Sequence, residues 1–127
     1  MGKVLAAHLL AVALLAGCAT PGNTEIPDDL PASKRAELDA MPEVGDADFP
    51  GKPRETLGKV EGVSCKRSYW GQTPSWEETV RRTKYEALKK GANAIANLAC
   101  DLPTGRSYIK LCLDSIRCTA DAVRLGD

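Results

Sequence analysis

Residues 75–91 run SWEETVRRTKYEALKKG, a helix with both ends marked in its own residues. Ser75 stands three positions before Glu78, the spacing of a capping box in which each residue satisfies a free amide of the first turn. Glu77 and Glu78 sit at the positive end of the helix dipole, and Lys89 and Lys90 at its negative end. Gly91 supplies the stop. The pairs Glu77/Arg81, Glu78/Arg82 and Glu86/Lys90 are spaced i,i+4 in the favourable order. The pattern predicts a helix over residues 76–90, with Trp76, Val80, Thr83 and Ala87 as the core stripe. Arg81, Arg82, Tyr85 and Lys89 fall on the other side. Arg and Tyr are common anchors at interfaces, so these four form a candidate partner-binding face. The plainer alternative is a solvated face whose cations pair with Glu77, Glu78 and Glu86.

Outward from the helix, the chain reads as strands. Residues 57–65 (LGKVEGVSC) are strand-like, with Leu57, Val63 and Cys65 on one parity and Gly58 and Gly62 marking a bulge or a close neighbour. Residues 71–74 form a loop. Tyr69 and Trp70, just before it, make a second candidate patch, although Trp70 could equally cover one end of the core. After the helix, residues 93–100 predict a buried strand with Ala94, Ala96, Leu98 and Cys100 on one face and Ile95 on the other. A turn at residues 101–105 leads to strands at 108–113 and 116–125, joined as a hairpin around Asp114 and Ser115. Strand, helix, then three strands indicate an α+β domain: a small, mostly antiparallel sheet packed on one helix.

Composition bounds the rest. A chain of 127 residues allows one small domain with accessory segments. Seventeen basic residues balance seventeen acidic ones, so the chain as a whole gives no argument for binding nucleic acid. Residues 19–56 hold six of the eight prolines and carry nine acidic against four basic side chains, a net −5. They read as a Pro-rich acidic linker with at most a transient helical turn at residues 33–41. Such a tether would have an r.m.s. span of roughly 35 Å and could extend to about 120 Å. Residues 57–127 carry the opposite sign, +4.

At the front, Lys3 precedes an apolar run from Val4 to Ala16, interrupted by His8 and too short to span a bilayer. Leu15, Ala16, Gly17 and Cys18 then form a lipobox, so residues 1–17 read as a signal peptide and Cys18 as the acylated anchor. At about 0.8 kcal/mol per buried methylene, two or three chains hold a protein on a membrane durably. Ala19 stands where an Asp would signal retention at the inner membrane, which directs the anchor to the outer membrane with the domain facing the periplasm. Cleavage removes His8, the one histidine, and with it any Ser-His or Cys-His pair and any His-based metal site. No catalytic residue, cofactor, metal or small-molecule substrate is expected.

Four cysteines remain: Cys65, Cys100, Cys112 and Cys118. An even number in a small exported domain predicts two disulfides, and a domain this small has a physical need for them. The spacing alone leaves three connectivities open. A zinc site of four thiolates and a redox-active pair are the rivals, both weakened by the absence of any CxxC.

LGKVEGVSC, the helix end KKGANAIANLAC and the closing Cys112/Cys118 segment resemble the RcsF family, outer-membrane lipoproteins that sense envelope stress for the Rcs phosphorelay. The resemblance covers residues 57–123 and the lipobox. The tether is more acidic than the family's, and the loop at residues 101–111 is longer. The resemblance implies bridges Cys65–Cys112 and Cys100–Cys118, a crossed pairing that calls for an isomerase in maturation. It also implies a non-enzymatic head that acts by contact. The partners implied are an inner-membrane regulator of the phosphorelay, the barrel-assembly machine and outer-membrane barrels. The alternative is an accessory lipoprotein of the outer membrane with the same fold and no signalling output; a small thiol–disulfide enzyme is a third reading.

Overall fold

The computed structural model describes residues 24–45, 54–66, 68–71, 73–101 and 112–126. The expected leader and lipobox with Cys18, residues 102–105 of the expected turn, and residues 108–111 of the expected third strand lie outside the described residues. The elements follow the order α1 (Ala32–Ala40), β1 (Glu43–Val44), β2 (Arg54–Lys66), α2 (Trp76–Lys89), β3 (Ala94–Asp101) and β4 (Asp114–Leu125). They form the expected α+β arrangement, with a four-stranded mixed sheet in the order β1-β3-β4-β2. The β2/β4 and β3/β4 pairs are antiparallel, and β1 runs parallel to β3.

Helix α2 carries the caps its sequence supplies, but of the expected pairs only Glu78/Arg82 forms, since Arg81 turns to Asp39 and Glu86 to Lys89. The Ser75 hydroxyl accepts the Glu78 amide at 3.2 Å. At the other end the Gly91 amide bonds the Leu88 carbonyl and the Ala92 amide bonds the Ala87 carbonyl. Gly91, at φ +84°, thus closes a Schellman turn. The helix buries Thr79, Val80, Thr83 and Ala87. Trp76 departs from the expected stripe: it is 45% exposed, and Thr79 takes its place. The substitution has a local cause. The first turn of α2 lies over Gly62 and Ser64 of β2, where only small side chains fit, and Thr79 Oγ1 sits 2.9 Å from Ser64 Oγ and 2.8 Å from the Ser75 carbonyl. Thr83 Oγ1 donates to the Thr79 carbonyl, so the buried hydroxyls at this interface are satisfied.

Two irregularities reset which residues face α2. In β3 the pairing slips between Ala96 and Ala99, where Asn97 adopts φ +53°. Asn is among the residues best able to take this left-handed conformation. Ala94 and Ala96 therefore pack with Val44 and Val123, while Leu98 and Cys100 join Val80, Ile116 and Cys118. This corrects the expectation that all four share a face, with Ile95 opposite; Ile95 packs with Ala87 and Leu98. A similar slip between Thr56 and Gly58 puts Leu57 with Val60, rather than with Val63 and Cys65.

The closing hairpin also differs. Asp114 and Ser115 do not form its turn. They pair with Lys66 and Cys65 as the first residues of β4, which runs the length of β2. Cys112 and Leu113 precede the strand, and the Leu113 amide bonds the Lys66 carbonyl.

The largest correction concerns the linker. Residues 24–45 are docked on the domain, and β2 begins at Arg54, inside the stretch read as tether. Leu38, at 1% exposure, Met41 and Val44 are buried. Three apolar residues at intervals of three suffice to anchor a strap, yet they are too sparse to register as a sustained period. The Ile95 amide donates to the Pro42 carbonyl, and β1 continues the contact as a short parallel strand. At the strap's start the Thr24 amide donates to the Val63 carbonyl, and the Val63 amide donates to Thr24 Oγ1. The acidic strap meets the basic helix directly: Asp39 pairs with Arg81 at 3.2 Å and Glu43 with Lys84 at 3.2 Å.

Candidate contact surface

Two disulfides fix the end of the sheet from which β2 leaves and at which β4 begins. Cys100 and Cys118 are directly opposed in the β3/β4 register, with Cα atoms 4.0 Å apart, and their bond locks two neighbouring strands. Cys65 bonds Cys112 across a separation of 47 residues. The observed pairing is the crossed one that the sequence resemblance implies.

Beyond Cys65 the chain turns through Ser68, Tyr69, Trp70 and Gly71, closed by a bond from the Gly71 amide to the Ser68 carbonyl. Trp70 is 97% exposed and Tyr69 84%. Trp70 thus covers no part of the core, which corrects one of its two expected roles. Leu113 is 46% exposed, held beside Lys66 by its backbone bond. Helix α2 runs antiparallel to β2, because Thr79 meets Ser64 while Ala87 meets Val60. Its first residue, Trp76, therefore belongs to this same end. The large hydrophobics exposed among the described residues are Tyr69, Trp70, Trp76 and Leu113; Tyr69 and Trp70 follow the end of β2 and Leu113 is bonded to that end at Lys66, while Trp76 borders the cleft between α2 and the strap.

The helix face singled out from the sequence is placed differently. Arg81 pairs with Asp39 of α1. Arg82 pairs with Glu78 at 3.1 Å and also donates to the Val63 carbonyl. Lys89 pairs with Glu86 at 2.8 Å and stands 5.1 Å over the Tyr85 ring. Arg81, Arg82, Tyr85 and Lys89 share a helix, but the two arginines are engaged by the strap and the sheet. Only Tyr85 and Lys89 lie clear of those contacts. Sequence reasoning could not weigh this, since Asp39 lies 42 residues from Arg81.

Two clefts line the seam between strap and helix. One, of about 280 Å³, has Leu38, Trp76 and Val80 on its walls among Asp39, Arg81 and Lys84. The other is bordered by Arg35, Arg81 and Arg82 but equally by Glu25, Asp28 and Glu78. Neither concentrates one sign of charge, which a site for a small ion requires. Among the described residues no group of His, Cys, Asp or Glu is placed to hold a metal ion. No helix among them is long and apolar enough to cross a membrane. The chain matches no protein-family model and no curated protein sequence.

Proposed function

We propose that the protein is an outer-membrane lipoprotein of the RcsF type, anchored by acylated Cys18, that senses envelope stress and signals by contact with an inner-membrane regulator of a phosphorelay. The observation that supports this reading is the crossed pairing of Cys65 with Cys112 and Cys100 with Cys118, which is the pairing the resemblance implies. A rigid, stapled head with an exposed aromatic tip suits action by contact: aromatic anchors on a pre-organised surface bind with little ordering cost.

A second reading is favoured by the docked strap. With Thr24 fixed to Val63, only six peptide steps separate Cys18 from the folded body, at most about 20 Å of extended chain. A head held so close to its anchor fits an accessory of the outer membrane, serving barrels or their assembly machinery, without signalling output. The deciding experiment is deletion and overproduction of the gene in its own host, with a phosphorelay reporter as readout. Reporter activity that rises on overproduction and stays low under envelope stress in the deletion strain supports signalling. An unchanged reporter in both strains, with altered barrel assembly, selects the accessory.

A further inference from the structure

We infer that the tip formed by Lys66, Tyr69, Trp70 and Leu113 is a membrane-contact site that rests on the anionic phospholipid surface carrying the protein's own anchor. The inference depends on the lipoprotein reading above, and three observations lead to it.

The first is the chemistry of the tip. Tyr and Trp favour the headgroup level of a bilayer, where an amphipathic ring has both an apolar and a wet side. Here they are adjacent and almost wholly exposed, and Leu113, bonded to Lys66 three residues before Tyr69, is half-exposed. The second is charge. Between Glu61 and Glu77 the sequence contains Lys66 and Arg67 and no carboxylate, and even with Asp114 opposite Lys66 in the strand register the segment keeps an excess of one cation. Each cation at an anionic surface favours partitioning by about fivefold, and the effect is screened by salt.

The third is position. The strap joins the sheet at Val63, three residues before β2 ends at Lys66. That separation is roughly 10 Å along a strand. A lipid-linked Cys18, at most about 20 Å of chain from Thr24, keeps the bilayer surface within reach of this end of the molecule. Three of the four large apolar side chains exposed among the described residues follow or adjoin this end of β2, so anchor and tip address one surface. An anchored contact needs little intrinsic affinity, because the anchor supplies a high effective concentration.

The test uses the full acylated protein in vesicles of phosphatidylcholine, with and without phosphatidylglycerol. Trp76→Phe leaves Trp70 as the one tryptophan. The expected result is that iodide quenching of Trp70 falls about threefold when phosphatidylglycerol is present, with a blue-shifted emission, and recovers at high salt. Lys66→Gln, which sets no second carboxylate opposite Asp114, should shrink the difference while the disulfides and the fold persist. Trp70 equally quenched in both lipids overturns the proposal. So does protection seen only in native envelopes and lost on protease treatment, which assigns the tip to a protein partner instead. The mass of the Cys18 peptide separates the two failures: an unmodified Cys18 sinks the lipoprotein reading and this inference with it, whereas acylated Cys18 with an accessible Trp70 sinks the contact alone.

Discussion

Gly62 of β2 lies directly beneath Thr83 of α2: a Cβ on Gly62 would overlap the Thr83 amide nitrogen and hydroxyl and fall 2.8 Å from the Thr79 carbonyl. Helix and sheet thus touch backbone to backbone at this point. Gly62→Ala should destabilise the domain by about 3 kcal/mol, since the obstructing atoms are main chain and cannot yield cheaply. Urea unfolding of the variant checks it; a loss within experimental error would mean that the helix can lift without cost.

The two disulfides close loops of different size, with sequence separations of 18 for Cys100–Cys118 and 47 for Cys65–Cys112. Loop-closure entropy assigns roughly 3 kcal/mol to the shorter and about 4 kcal/mol to the longer. Replacing both cysteines of a pair by Ser should therefore cost more at residues 65 and 112. Thiol titration of the native protein should find none of these four cysteines reactive, and the order of unfolding midpoints tests the ranking.

Leu38 is the residue by which α1 enters the core. Leu38→Ala should weaken strap docking by about 3 kcal/mol, the usual cost of a buried Leu truncation. Hydrogen exchange should then accelerate across residues 24–45 while β2 and β4 stay protected. Asp39→Ala should cost only about 0.5 kcal/mol, because its partner Arg81 is partly exposed and the pair is screened. Equal effects from the two substitutions would place the strap's stability in charge rather than burial.

Asn97 carries the slip in β3 at φ +53° and donates from Nδ2 to the Asp121 carboxylate at 2.8 Å. Asn97→Val should cost about 2 kcal/mol, since a β-branched side chain resists this conformation. Asn97→Gly should be close to neutral, relieving the backbone while losing one exposed hydrogen bond. Thermal unfolding of the pair decides; a Gly variant as damaged as the Val variant would locate the cost in the bond to Asp121.

The features legible in the sequence are those written locally. Ser75, Glu78 and Gly91 announce both ends of α2 because caps depend on residues within one turn. The phase of β3 was not legible, because alternation is blind to an inserted residue: nothing in residues 94–100 distinguishes a slip at Asn97 from regular pairing until Asp121 lies opposite. The strap was hidden for another reason. Leu38, Met41 and Val44 are few, set among prolines and acids, and their burial depends on α2 and β3, which are distant in sequence. The exposed tip was half legible: Tyr69 and Trp70 stand out by composition, but their exposure belongs to a turn closed between Ser68 and Gly71.

The docked strap also divides the N-terminal region into two parts that differ in their tolerance of length. With Cys18 as the proposed anchor, each residue inserted between Cys18 and Thr24 would lengthen the reach to the lipid by up to about 3.5 Å. Residues inserted between β1 and β2 would leave that reach untouched, since both flanking strands are held in the same sheet. If Cys18 is acylated as proposed, the reach between anchor and head is thus set by the few positions before Thr24, while the length between β1 and β2 sets only a loop within the sheet.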